Sequence, residues 1–256
     1  MIPEFQNLLL LLESKDEQNR ALAFLQFQHY KEEFESHFGF EYNKNTTELI
    51  DFLLANEVLD LKMPLLEIQE LDLNHKHITN IPKGVSLLKN LHTLNLEENQ
   101  IQHIPTGVFE LKNLQLLFLG CNEIQEIPKE IGELTNLKTL CLFVNLIEEL
   151  PKEIVKLKNL LYLSLENTRI QEVPVEITEL KNLQELDLRN NIIQEVPKEI
   201  RKLKNLIKLR LSSNFITNLP VEIGELKNLR RLHLEYNHID NISEIKMLLP
   251  NCEIIF

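Results

Sequence analysis

A chain of 256 residues, 43% hydrophobic and 26% charged, has ample material for an extended core, and no apolar run in it approaches the ~18 residues of a membrane span. Its formal net charge of −12 and pI near 5.2 argue against nucleic acid, whose phosphates demand a basic footprint, and against an anionic membrane surface. Three cysteines are too few for a disulfide-bonded secreted scaffold and fit a reducing cytoplasm.

Residues 1–66 read as helical. A first amphipathic piece covers residues 4–12; its apolar run, 8–12, follows Glu4 and no Lys or Arg, which is not a signal-peptide pattern. A second helix is expected from about Asp16 through Tyr30 toward His37, capped by Asp16 or Ser14 and ended by Gly39. A third begins after Asn45 or Thr46, where Asn45 and Glu48 are arranged like a capping box, and carries Leu49, Ile50, Leu53 and Leu54. This block is expected to cover an open apolar edge of the segment that follows; the alternative is a separate partner-binding helical module.

From residue 68 to 242 one 23-residue unit recurs eight times. Leu71, Leu94, Leu117, Leu140, Leu163, Leu186, Leu209 and Leu232 share one position, and a second Leu follows each of them two residues later. An Ile closes the same interval in all eight, from Ile78 to Ile239, and a Pro ends seven, from Pro82 to Pro220. In Leu186-Asp187-Leu188 apolar and polar side chains alternate, the mark of a short strand with one buried face. Asn99, Asn122, Asn145, Asn191, Asn214 and Asn237 then fall where the chain turns, and their amides are suited to satisfying backbone groups that stacked turns would bury. Two positions depart from that column: Lys76 at the edge unit, and Thr168 mid-array, where a hydroxyl predicts a weaker link and a local irregularity. Beyond each proline apolar residues return every third position, as in Ile200, Leu203 and Leu206, predicting a short helix or 3₁₀ turn. One unit cannot bury its own leucines, whereas a stack can. After residue 242, Ser243 replaces the proline, residues 244–249 suit a last helical turn, and 254–256 a truncated strand. Cys252, in the slot of a ninth unit's first Leu, reads as a small buried hydrophobe. Cys121 and Cys141 fall on neighbouring strands about three residues out of register, roughly 11 Å apart and too far for a bridge.

The unit, L-x-x-L-x-L-x-x-N-x-I-x-x-[ILV]-P-x-x-[IV]-x-x-L-x-N, resembles the leucine-rich repeat family. The 23-residue spacing and the Ile-Pro step look most like the intracellular Ras-suppressor and plant Ras-group type and many cytoplasmic bacterial members. The resemblance covers residues 67–242, roughly three quarters of the chain. It implies an α/β solenoid: a curved parallel sheet with short helical or 3₁₀ outer segments, a helical cap at 1–66 and a C-terminal cap at 243–256. The motif is highly specific for fold and weakly specific for function.

No catalytic constellation emerges. The histidines do not converge: His75 and His77 flank a turn, His92 starts the next unit, and His103 lies on the far side of its loop, so no metal site is implied. Gly84, Gly107, Gly132 and Gly224 fall in outer segments and make no phosphate loop. The chain therefore reads as a non-enzyme without cofactor, and function is sought on the inner face. Residues 23 apart become lateral neighbours there, since parallel strands stack ~4.8 Å apart. The first two units are acidic, with Glu70, Asp72, Glu97 and Glu98. Units three and four are apolar, with Leu116, Phe118, Cys121, Cys141, Phe143, Val144 and Leu146, Tyr162 at the border, and Gly120 beside Phe143 leaving room for a groove. The last units carry both signs, and Glu166–Arg189, Glu185–Lys208 and Asp187–Arg210 are expected to pair, each pair worth ~0–1 kcal/mol. Candidate partner-binding residues are Leu116, Phe118, Cys141, Phe143, Val144, Leu146 and Tyr162, with Arg189, Arg210 and Arg231 setting orientation. The expectation is a cytoplasmic protein-interaction scaffold, monomeric or weakly dimeric, holding a protein partner. The alternative is the recognition part of a larger enzyme, such as a ubiquitin-ligase-like effector. Glycan or small-ligand sensing is weakened by the absence of Trp.

Overall fold

A computed structural model describes residues 2–59 and 65–256. Four helices open the chain: α1 (Pro3–Leu12), α2 (Glu17–Phe27), α3 (Lys31–Phe38) and α4 (Lys44–Ala55). Eight three-residue strands follow: β1 (Glu70–Asp72), β2 (Thr93–Asn95), β3 (Leu116–Phe118), β4 (Thr139–Cys141), β5 (Tyr162–Ser164), β6 (Glu185–Asp187), β7 (Lys208–Arg210) and β8 (Arg231–His233). Helix α5 (Ile242–Leu248) and strand β9 (Glu253–Ile255) complete it. The nine strands form one parallel sheet in chain order, so this is the open α/β solenoid the repeat implies.

Alternation places the central leucine of each strand inward; Leu94, Leu117, Leu140, Leu163, Leu186, Leu209 and Leu232 are completely buried, while the flanking residues face outward on the sheet. Pairing is in strict 23-residue register from β1 to β8, for example Leu117 opposite Leu140. It slips at the last strand, where Leu232 faces Ile254. That slip leaves Cys252 half-buried, more open than its slot in the repeat predicted. The chain returns to the next strand through five-residue 3₁₀ turns, such as Lys152–Lys156 and Lys198–Lys202, each entered through a proline with φ near −65°, the angle its ring imposes.

The asparagine column does what the sequence suggested. Asn145 Oδ1 accepts from Ile124 N (2.9 Å), and its Nδ2 donates to Leu119 O and Leu142 O. Thr168 interrupts it: its hydroxyl is engaged by Leu165 O (3.0 Å) and Asn191 Oδ1 (2.8 Å), so Ile147 N gains no side-chain acceptor of the kind Ile124 N has. A second ladder runs along the outer side, where Asn113, Asn136, Asn159 and Asn182 each donate to a carbonyl 24 residues earlier.

The N-terminal block differs in detail from expectation. The expected second helix is two, broken at residues 28–30. On one straight helix the rings of Phe27 and Phe34 would be offset by about 10 Å of rise; the break brings their centroids to 5.2 Å, and Phe34 stacks on Phe38 at 4.6 Å. Asp16 caps α2 through Gln18 N, and Gly39 ends α3 at φ 79°, as the sequence suggested. Helix α4 is capped by Asn43, which accepts from Thr46 N, two residues before the expected position. Asn45 instead meets the array: a Cβ on Gly84 would sit 2.3 Å from Asn45 O, just as one on Gly107 would sit 2.4 Å from Lys83 O. Helix α4 thus occupies the place that a preceding outer turn would fill, and at the other end α5 presses Leu248 against Gly224.

Candidate protein-interaction face

Just past its strand each repeat passes through a left-handed residue in one column, His75, Glu98, Cys121, Val144, Asn167, Asn190, Ser213 and Tyr236, with φ between 51° and 57°, and the first repeat adds a second at His77. Asn tolerates that region through local hydrogen bonding; Val144, at φ 51°, is β-branched and crowded there, a conformation costing on the order of 1–3 kcal/mol. Val144 is also 40% exposed. Beside it the Phe143 ring occupies the space next to Gly120, since a Cβ there would be 2.3 Å from Phe143 Cε1. The space expected as a groove is therefore filled by the ring. Leu116, Phe118, Phe143, Leu146 and Tyr162 are half-buried. Cys141 is sunk between them, and burial pushes its thiol up to about 12. The zone presents Val144 as its most open side chain, on a bed of half-exposed rings and leucines.

On the C-terminal side the carboxylates around Asp187 are satisfied by arginines. Asp187, 1% exposed, accepts from Arg189 Nε (2.9 Å) and Nη2 (2.8 Å), and Arg189 Nη2 also reaches Glu166 (2.6 Å). Arg210 takes Glu185 (3.3 Å) and lies 3.4 Å from Asp187, within ion-pair distance although that Nη1 makes no hydrogen bond. The expected Glu185–Lys208 pair is not formed, because the longer guanidinium of Arg210 reaches diagonally to the same carboxylate. Burial, with Arg210 beside it, lowers the Lys208 ammonium pKa. Arg231 is exposed and 3.7 Å from Glu253.

The N-terminal side is different. Among the described residues Glu70, Asp72 and Glu97 have no ion-pair partner, and Glu98 has only His75 (2.8 Å). Burial, then the neighbouring Glu98 and Asp72, raises the Glu97 carboxyl above its ordinary range. The face therefore runs from acid without a Lys or Arg partner among the described residues on β1 and just past β2, through apolar surface on and beside β3 and β4, to the arginine–carboxylate network around Asp187 on β6 and β7.

Sequence comparison agrees with this architecture. Residues 159–249 match the leucine-rich repeat region family, and residues 67–111, 89–147 and 112–170 match the leucine rich repeat family. The chain belongs to the leucine-rich repeat proteins. Among solved structures, a leucine-rich repeat protein of Leptospira interrogans is 40% identical, with a TM-score of 0.66 over 80% of this chain and 56% of that one. The chain thus spans little more than half the length of the Leptospira protein. Internalin C2 of Listeria monocytogenes is 27% identical (TM-score 0.70, 80% of this chain and 89% of that one). A second internalin of the same organism, 22% identical over 86% of this chain and 69% of that one, shares the fold (TM-score 0.61). Among curated proteins none matches the chain.

Within this leucine-rich repeat array most candidate side chains fall on or just past the strands, whereas Leu146, beyond the Asn145 turn, lines a cleft with Gln125, Glu148 and Arg169; two further features were not read from the sequence columns. The left-handed column carries a signal in Asn167 and Asn190, residues that favour such turns, and it identifies Val144 as the misfit. The role of Asp187 as the hub for two arginines depends on diagonal reach across strands, which columns do not encode. Among the described residues no group of three or more His, Cys, Asp or Glu is arranged to hold a metal ion, and no helix is long and apolar enough to cross a membrane.

Proposed function

We propose that this leucine-rich repeat protein is a non-catalytic interaction scaffold that holds a protein partner on the sheet face formed by β3, β4 and β5. The observation that carries this reading is Val144: an apolar side chain kept both exposed and conformationally strained in the middle of an apolar zone, where any neighbour in its column would be cheaper. Phe118, Phe143, Leu116, Leu146 and Tyr162 supply the surrounding contact surface, and aromatic side chains ringed by polar ones are characteristic of interaction hot spots. Arg189 and Arg210, held by Glu166, Asp187 and Glu185, border the zone on its C-terminal side, and the exposed Arg231 lies beyond them on β8. A reducing, cytoplasmic setting and the intracellular 23-residue repeat type are part of the proposal, supported by the three unpaired thiols Cys121, Cys141 and Cys252. Phe118→Asp and Phe143→Asp test it: both side chains leave the strand away from the core, so the circular dichroism spectrum should stay native while partner binding falls at least about 100-fold, ~3 kcal/mol of hot-spot energy. Normal binding by both variants would place the site elsewhere.

A further inference from the structure

Resting on that reading, we infer the chemistry of the partner: a polypeptide segment with an apolar or aromatic anchor that sits on β3 and β4 and a cluster of Lys or Arg that reaches the carboxylates beside β1 and β2. The argument is one of asymmetry. An apolar zone flanked equally on both sides would say nothing about the partner's charge. Here the carboxylates bordering the apolar zone on the C-terminal side, Asp187, Glu166 and Glu185, are each held by an arginine. The N-terminal flank is open: Glu70, Asp72 and Glu97 are without an ion-pair partner among the described residues, and the weak base His75 alone stands against Glu98. Crowding these carboxylates together is unfavourable in the free protein: Glu97, Glu98 and Asp72 lie side by side at the edge of the sheet, and burial first, then the two neighbours, raises the Glu97 carboxyl; an incoming cation relieves the crowding. A partner with acidic flanks would meet repulsion on that side, and on the other would first reach the arginine–carboxylate network around Asp187, with Lys208, unpaired among the described residues, lying beyond it on β7.

The geometry also sets the spacing. Glu97 follows β2 and Phe143 follows β4, each at the same position after its strand, with Gly120 between them. Two strand spacings separate them, about 10 Å. That distance is spanned by about three residues of extended chain or about seven residues of helix. The partner segment therefore carries its basic residues three to four positions from the anchor if extended, and about two turns away if helical.

The test uses a random dodecapeptide library displayed on phage, panned on the 256-residue chain and, in parallel, on Phe118→Asp/Phe143→Asp and Glu97→Gln/Glu98→Gln variants. The expected result is enrichment of peptides with an aromatic or aliphatic residue at that spacing from two or more Lys or Arg. A synthetic copy of the leading peptide should bind at least about tenfold more weakly to the Glu97→Gln/Glu98→Gln protein, ~1.4 kcal/mol. Its affinity for the wild type should also fall between 50 and 500 mM NaCl, because exposed charge pairs are screened. Enriched peptides that need Phe118 and Phe143 but carry no basic bias, or bind the double Gln variant equally, overturn the charge assignment and leave the binding face standing. Peptides indifferent to the Phe variants, or no enrichment over the panning on them, overturn both.

Discussion

At the scale of single residues the repeat makes each departure measurable against its own neighbours. Thr168 breaks an amide ladder in which Asn145 and Asn191 each serve the backbone of the preceding unit. Thr168→Asn should restore an acceptor for Ile147 N and raise unfolding free energy by about 1 kcal/mol, the net worth of one buried hydrogen bond; an unchanged urea midpoint would mean the hydroxyl already compensates. Val144 departs in the opposite sense. Val144→Asn places a residue suited to φ 51° and should stabilise the fold by on the order of 1 kcal/mol while weakening partner binding, a trade of stability against function. A variant that is more stable and binds equally well would make Val144 a packing accident. Gly120 belongs with it. A methyl there collides with the Phe143 ring, the movable end of a side chain, so Gly120→Ala should swing the ring off the sheet with little loss of stability, visible as a shift of its aromatic proton resonances.

Elements are where legibility in the sequence divides. Strand positions, register from β1 to β8 and the 3₁₀ turns were readable because each is set by a period repeated eight times, so a local misreading is corrected by its neighbours. The N-terminal block has no repeat to correct it. The break after Phe27 is decided by how Phe5, Phe27, Phe34 and Phe38 pack on one another, which is tertiary information. The cap of α4 was misplaced by two residues because Asn43 and Asn45 offer similar local chemistry, and only the approach of the Asn45 carbonyl to Gly84 distinguishes them. The same approach gives a test of the cap. In Gly84→Ala the methyl would meet backbone rather than a flexible side chain, so α4 must lift from the first repeat. Amide hydrogen exchange should speed up in α1 to α4 and around Lys83–Leu87, with β5 to β8 unchanged, since stacked repeats couple mainly to their nearest neighbours. Uniform loss of protection would instead show that the block and array unfold as one cooperative unit.

Across the whole molecule, the distribution of charge is more informative than its sum. Many of the 39 acidic residues are matched by the 27 basic ones, along the outer side by contacts such as Lys112–Glu133 and Lys204–Glu225 and on the inner face by the arginines around Asp187. On the inner face the acid beside β1 and β2 is left without a Lys or Arg partner among the described residues, and it has a pH signature. Glu97 has a folded-state pKa raised by burial, Glu98 and Asp72, so the native state holds its proton more tightly than the unfolded chain does. Its ionisation therefore costs stability as pH rises through the unfolded and then the folded pKa, and that cost is fully present at neutral pH. Glu97→Gln should accordingly be more stable than the wild type at pH 7, with the difference shrinking as pH falls through the raised pKa and vanishing below the ordinary carboxylate value of about 4.3. Urea midpoints of the two proteins between pH 3 and 8 decide it: parallel curves would mean that Glu97 does not feel its neighbours. The same linkage reaches binding. A basic segment on this face favours ionised Glu97, so its affinity should fall as the carboxyl protonates, and in the Glu97→Gln protein that acid limb of the binding profile should flatten.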